Sequence, residues 1–182
     1  LNSALEALQV QLGKALYEVY GTTIAPDATF TLRINDGVVK GYEYNGTVAP
    51  WFTTFYGLYD RYYSHQKEYP WALPERWTKF DDSFDLSKMY NFISTNDIVG
   101  GSSGSPVINK NLEVVGLAFD GNIESITGNF LYSTEKNRMV SVASPGIYEI
   151  VSDLLKMKRL AEEIRTGKLY KVQTEEKAQI AE

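Results

Sequence analysis

The stretch that decides how this chain is read is Asn96-Asp97-Ile98-Val99-Gly100-Gly101-Ser102-Ser103-Gly104-Ser105-Pro106-Val107-Ile108, continued by Asn109-Lys110-Asn111-Leu112-Glu113-Val114-Val115-Gly116-Leu117-Ala118-Phe119-Asp120-Gly121-Asn122. Gly100-Gly101 frees the backbone for a conformation that a side chain would forbid. A hydroxyl held just after such a bend lies beside inward-pointing amide hydrogens, the donor arrangement that an oxyanion requires. Gly104 lets a carbonyl approach closely, and Pro106 ends the loop before a strand over residues 106–108. Asn109-Lys110-Asn111 turns the chain, and residues 113–119 return as a second strand past the loop. A candidate nucleophile and a candidate substrate-lining strand are thereby joined in one hairpin. The plain alternative is a Gly/Ser-rich surface turn; the returning Gly116-Leu117-Ala118-Phe119-Asp120-Gly121 run argues against it.

Outward from this hairpin the period of two continues. Residues 28–34 alternate, Asn35-Asp36-Gly37 offers a turn that tolerates positive φ, and residues 38–44 carry on, which predicts a second hairpin. Residues 130–132 and 138–142 read as further short strands, and short antiparallel strands at such spacing favour a barrel or sandwich. Helical spacing brackets them. Leu1, Leu5, Leu8, Leu12, Leu16 and Val19 recur at steps of three and four, as do Ile147, Ile150, Val151, Leu154, Leu155, Leu160 and Ile164. Pro145 suits the entry to the second helix and Gly167 its stop. Residues 42–92 hold 16 of the 24 aromatic residues. Packing between segments broken by Pro50, Pro70 and Pro74 explains them better than a stacking platform for sugar or single-stranded nucleic acid, since no pattern of Lys or Arg interleaves the rings.

Composition removes whole classes of function. Eighteen Lys plus Arg against 23 Asp plus Glu give a net charge of −5, the wrong sign for binding a phosphate backbone, so no nucleic-acid partner is expected. No apolar run reaches the roughly 18–20 residues of a membrane span. The absence of Cys excludes disulfides, thiol nucleophiles and thiolate zinc sites, and a single His leaves little for a His-rich metal site. Hydrophobic residues at 43% allow a packed core. Chemistry here must come from hydroxyls, carboxylates and backbone, and neither metal nor cofactor is expected.

The Gly100-Gly101-Ser102-Ser103-Gly104-Ser105-Pro106-Val107 run resembles the nucleophile loop of chymotrypsin-fold serine peptidases, in the glutamyl-endopeptidase variant. A resemblance to the bacterial dipeptidyl-peptidase 7 and 11 family covers most of the chain. It rests on Pro26-Asp27-Ala28-Thr29-Phe30-Thr31-Leu32-Arg33, Lys40-Gly41-Tyr42, Asn96-Asp97-Ile98, the serine loop, and Gly116 to Asn122 with Glu124. Two departures stand out. Ser102 occupies a place usually held by Asn or Asp, and Val142-Ala143-Ser144-Pro145 replaces a more polar continuation. The resemblance implies a mainly β fold: a chymotrypsin-like second β-barrel flanked by N-terminal and C-terminal helices, cut from a double-barrel peptidase with a helical insert. It divides the chain into the end of that insert (1–22), the C-terminal barrel with aromatic-rich loops (23–145), a closing helix (146–167) and a polar tail (168–182).

The same resemblance assigns roles. Ser103 is the expected nucleophile, with the backbone N–H groups of Gly101 and Ser103 as the oxyanion hole. Ala118, Phe119, Asp120 and Gly121 are expected to line the substrate pocket, with Asp120 attracting the α-ammonium of a peptide with a free N-terminus. Gly121 stands where acidic-specific members carry a basic residue, which leaves room for a bulky apolar side chain before the cut. Asp97, six residues before Ser103, has the spacing of a basic-specificity carboxylate but reads better as a structural, hydrogen-bonded group. The expected function is a serine exopeptidase that releases N-terminal dipeptides after hydrophobic residues, in the periplasm or at the cell surface, from a possible homodimer. The base that activates serine is His oriented by a carboxylate. His65 lies in an aromatic loop-like stretch; the resemblance implies that His and Asp come from the remaining N-terminal part of the same protein, so this chain alone is expected to be inactive. The competing readings are a peptidase-like domain that binds peptide without cleaving it, and an aromatic-rich carbohydrate-binding module.

Overall fold

The computed structural model describes residues 2–21, 32–129 and 131–169. Its elements in chain order are α1 (Asn2–Tyr20), β1 (Tyr42–Tyr44), β2 (Thr47–Ala49), β3 (Phe52–Thr54), α2 (Phe55–Ser64), α3 (Glu75–Thr78), β4 (Met89–Ser94), β5 (Pro106–Ile108), β6 (Val114–Gly121), β7 (Met139–Ala143), α4 (Ser144–Glu149) and α5 (Lys158–Thr166). A 3-10 helix covers Ile123–Asn129 and a π turn covers Ile150–Leu154. Five strands form one sheet in the order β3-β4-β7-β6-β5, and β1 pairs with β2 in a second. No helix is long and apolar enough to cross a membrane among the described residues.

The fold is mainly β, as expected, with two antiparallel sheets and several helices, and among the described residues no barrel closes. Asn45 and Gly46 both adopt positive φ, at 48° and 74°, and turn Thr47–Ala49 straight back onto Tyr42–Tyr44. An Asn-Gly pair is the strongest two-residue hairpin signal, and it pairs Tyr42–Tyr44 with Thr47–Ala49. Residues 32–38 form no strand; Val39 alone bridges to Ser94, and residues 28–31 lie outside the described residues. Leu131 and Tyr132, expected in a strand, are irregular, and residue 130 is outside the described set. Strands β5, β6 and β7 fall within two residues of their predicted positions.

The chain divides into two compact units. The first is residues 1–51, 93–107 and 117–141, and the second is 52–92, 108–116 and 142–182. In the first, Gly37 packs so closely on Asn96 that a Cβ would meet its Oδ1 at 2.5 Å, and the Asn96 amide donates to the Asn35 carbonyl at 2.8 Å. Thr95 and Val38 exchange a backbone bond of 3.0 Å and a side-chain bond of 2.9 Å, which fixes residues 35–39 alongside the serine loop's approach.

The second unit builds its core from aromatics. Phe55, Tyr59, Phe84 and Leu154 form its core, with Trp77, Tyr90 and Ile150 packed around them. The ring of Phe55 lies 4.8 Å from those of both Phe84 and Tyr90. Tyr59 donates to the Trp77 carbonyl, and burial pushes its phenol up to about 12. Packing thus accounts for part of the aromatic-rich segment, while Tyr56, Tyr63, Tyr69 and Trp71 stay exposed and Arg61 lies over Trp71 and Lys67 over Tyr62 and Tyr63. The predicted C-terminal helix is broken. Leu155 donates to the Ile150 carbonyl five residues back, Lys156 takes a φ of 54°, and α5 starts afresh at Lys158. Gly167 ends it in the left-handed conformation, as expected from sequence.

Gly116, on β6, carries a testable consequence. A Cβ there would lie 2.5 Å from the Val142 carbonyl oxygen and 2.6 Å from the Phe92 ring. Main chain cannot yield as a side chain can, so Gly116→Ala is expected to lower stability by about 1–3 kcal/mol, read as a reduced midpoint in urea unfolding of the complete protein.

Candidate active site

The serine loop folds as its glycines dictate. Gly101 has a φ of 97° and Gly104 a φ of 85°, both in the region that favours glycine. Ser102 donates its N–H to the Val99 carbonyl at 3.1 Å, while the Val99 N–H donates to Ser102 Oγ at 3.4 Å. A serine therefore braces the loop where an Asn or Asp was expected. The loop is pinned to β6 by two backbone bonds, Gly104 N–H to the Ala118 carbonyl at 2.7 Å and Ala118 N–H to the Ser105 carbonyl at 2.9 Å.

This pinning leaves Ser103 exposed on a cleft of about 230 Å³. Its hydroxyl donates to the Phe119 carbonyl at 3.1 Å. Neither the Gly101 nor the Ser103 N–H has a hydrogen-bond partner among the described residues. The cleft brings together Ser103 with Ala118, Phe119, Asp120 and Gly121, the predicted substrate-lining residues; Gly101, predicted to share the oxyanion hole, is not among its lining residues. Ala118 is buried while Phe119 and Asp120 are exposed. One oxygen of Asp120 accepts the Gly121 N–H at 2.8 Å. Ile98, Val99, Gly100, Ser102, Asn122, Ser125 and Ile126 complete the lining, and no Lys or Arg is among the lining residues. The room expected beside Gly121 is not free: Ser125 Oγ would lie 2.1 Å from a Cβ there.

His65 sits in the second unit, ends α2, and stacks on Trp71 with ring centroids 5.2 Å apart. Asp97 accepts no hydrogen bond among the described residues, contrary to the expectation of a hydrogen-bonded group, and does not line the cleft. Burial raises its carboxyl above the ordinary 3.8, opposed by the charge of Arg33. Among the described residues no group of three or more His, Asp or Glu converges as a metal site would require.

The element that reading the sequence missed is Arg138. It is 1% exposed, and no carboxylate among the described residues pairs with it. Instead Nε donates to the Lys40 carbonyl at 2.9 Å, Nη1 to those of Thr134 (2.9 Å) and Asn137 (2.7 Å), and Nη2 to those of Gly41 (2.9 Å) and Glu135 (3.2 Å). The guanidinium also lies over the Tyr42 ring, 5.5 Å from its centroid. The main chain of Arg138 exchanges bonds with Asn122, its N–H to Oδ1 at 2.8 Å and its carbonyl from the Asn122 N–H at 2.9 Å. Asn122 further donates from Nδ2 to Glu124 and to the Lys136 carbonyl, at 2.8 and 2.7 Å. The end of β6, with Asp120 and Gly121, is held through this chain of contacts.

Comparison with known proteins now decides the family, since the peptidase S46 profile matches residues 1–166. The chain belongs to the peptidase S46 family. It is 34% identical to dipeptidyl-peptidase 7 of Phocaeicola vulgatus over 149 residues, 77% of this chain and 20% of that protein. It is 31% identical to dipeptidyl-peptidase 7 of Porphyromonas gingivalis over 184 residues, 90% of this chain and 25% of that protein. The Asp/Glu-specific dipeptidyl-peptidase of Porphyromonas endodontalis shares 32% over 150 residues, 78% of this chain and 21% of its own length. Among solved structures, that of Porphyromonas endodontalis DPP11 in complex with substrate superposes with a TM-score of 0.65 at 28% identity, covering 84% of this chain and 23% of that one. The chain thus spans a fifth to a quarter of the length of these relatives. The matched relatives carry two names, dipeptidyl-peptidase 7 and Asp/Glu-specific dipeptidyl-peptidase, so family membership alone does not choose a substrate.

Two outcomes are expected of this site. Arg138→Met leaves buried carbonyls without donors and should cost about 3–5 kcal/mol, by analogy with breaking a buried charge network; Arg138→Lys, with three donors for five carbonyls, should recover only part in urea unfolding. For Asp97, the folded state holds its proton more tightly than the unfolded state, so its contribution to stability is present below 3.8 and lost as pH rises through its raised folded value. Asp97→Asn should therefore unfold at a higher temperature than the parent at neutral pH, with the difference vanishing below about pH 3.8, followed by calorimetry across pH.

Proposed function

We propose that this chain carries the nucleophile half of a serine dipeptidyl-peptidase. The observation that carries the reading is Ser103, exposed on the cleft, with its own N–H and that of Gly101 two residues before it both unpartnered among the described residues. In this reading Ser103 Oγ attacks the carbonyl carbon of the second peptide bond while a base takes its proton. The two N–H groups hold the oxygen as it becomes negative, each donor worth about 10²–10³ in rate. Collapse expels the peptide's new amine, which takes the proton from the base, and water then releases the dipeptide from the acyl-enzyme by the same path in reverse. His65, stacked on Trp71, is left out of this scheme; the base and its orienting carboxylate come from the remaining N-terminal part of the complete protein.

Asp120 supplies the counter-charge for a free α-ammonium. One of its oxygens is held by the Gly121 N–H, which leaves the other to accept from the substrate. A cleft lined by Ile98, Val99, Phe119 and Ile126 and by no cation favours an apolar side chain before the cut over Asp or Glu.

On the complete protein, a fluorophosphonate probe is expected to label Ser103, and Ser103→Ala should abolish labelling and cut dipeptide release by roughly 10⁴–10⁶-fold. Turnover surviving in Ser103→Ala would overturn the assignment. A protein that binds free-N-terminal peptides but never labels would instead be a peptide-binding domain.

A further inference from the structure

We propose that Ser125 is a specificity-determining residue, which together with Gly121 sets the depth of the pocket for the side chain before the cut. This deepens the reading above and rests on it for the identity of the cleft.

The argument starts from the empty face of Gly121. A Cβ built there would lie 2.1 Å from Ser125 Oγ, 3.3 Å from Ser125 Cβ and 3.7 Å from the Arg138 carbonyl oxygen. The volume that any side chain at position 121 needs is therefore already filled, by a hydroxymethyl group from the next element. Both residues line the cleft, so the boundary that a substrate meets at this end is a joint surface of 121 and 125. A glycine there does not make the pocket deeper by itself, because Ser125 has moved into the space.

The hydroxyl is not free to swing aside. It donates to the Asn122 carbonyl at 2.6 Å, and the Ser125 N–H donates to the same oxygen at 3.0 Å. Asn122 in turn is fixed by both backbone groups of Arg138 and by two further acceptors. Rotating Ser125 away from Gly121 sacrifices its bond to Asn122, so a larger residue at 121 must work against an anchored neighbour. The adjoining Ile126 also lines the cleft but is 65% exposed, whereas Ser125 is half-buried, which makes 125 the inner wall and 126 the outer.

The consequence is a coupled pair: what is tolerated at 121 depends on what stands at 125, and the two together set the preference among apolar side chains. One methylene more or less in an apolar pocket is worth about 10–200-fold in discrimination, so changes at 125 should be readable as ratios between substrates.

The test uses the complete protein and dipeptidyl substrates that differ only in the residue before the cut, Ala, Leu or Phe. Ser125→Ala is expected to raise the Phe:Ala ratio of kcat/KM severalfold, and Ser125→Val to lower it by about tenfold. Gly121→Ala alone should lose at least about tenfold on Phe, and Gly121→Ala with Ser125→Gly should regain most of that loss. A purely structural role for Ser125 would lower all three substrates together and leave the ratios alone. Ratios that stay within about twofold in every Ser125 variant, or a Gly121→Ala loss that Ser125→Gly fails to rescue, would overturn the proposal while fluorophosphonate labelling of Ser103 persists. Failure of the probe to label the parent protein would sink the reading of the cleft itself, and this inference with it.

Discussion

The site in the first unit depends on one buried guanidinium. A charge with 1% exposure and no carboxylate partner among the described residues is tolerable only if something replaces its water, and in Arg138 five main-chain carbonyls do so. Arginine suits the task because its donors are fixed in a plane and its charge persists even when burial lowers its pKa, as it does here. Each carbonyl belongs to backbone that would otherwise be irregular: Lys40 and Gly41 leading into β1, and Thr134, Glu135 and Asn137 leading into β7. A side chain thus does for these turns what a ladder does for strands. The accompanying cost is visible beside it, for the buried Asn137 Nδ2 and Ser141 Oγ find no partner among the described residues.

What Arg138 holds with its side chain it transmits with its main chain. Its amide and carbonyl grip Asn122, whose carbonyl anchors Ser125 and whose position ends β6. Strand β6 in turn holds the serine loop through Ala118 and the Ser103 hydroxyl through Phe119. Three consecutive residues therefore have three duties. Ala118 is buried and pins the loop, Phe119 positions the hydroxyl, and Asp120 turns a carboxylate to solvent. Preorganisation of this sort costs nothing at the moment of reaction, which is where electrostatic stabilisation gains its advantage over water.

Much of this was legible in the residues themselves. The Gly101 bend, the Asn109 turn and strands β5 to β7 follow from local chemistry, since positive φ, Asx hydrogen bonds and alternation are encoded within a few positions. The same local logic failed where two signals competed. Asp36-Gly37 and Asn45-Gly46 both advertise a hairpin, and only the second makes one, because Gly37 is instead pressed against Asn96 from far along the chain. The broken C-terminal helix keeps its apolar spacing on both sides of Lys156, so periodicity could not reveal the break. Arg138 had no signature at all. Its acceptors are carbonyls, which every residue possesses, and the nearest charged neighbours in sequence gave no hint that it would be buried. Ser125 was hidden for a related reason: the significance of Gly121 was read as an absence, and only the coordinates show what fills it.

The arrangement also bears on why the proposed enzyme would count residues from a free end. Strand residues advance by about 3.3 Å each, and on β6 the residue that holds the Ser103 hydroxyl and the residue that carries the free carboxylate are adjacent. In the proposed scheme two features of opposite sign serve one cleft, which Ser103 and Asp120 both line: amide hydrogens for a developing oxyanion, and a carboxylate for an ammonium. A substrate satisfies both only if its own positive charge lies a short, fixed distance from the bond to be cut. An internal stretch of peptide offers no such charge, and would have to bury the Asp120 carboxylate against neutral backbone. Exopeptidase character in this scheme comes from the desolvation penalty that Asp120 imposes on every substrate without a terminal amine.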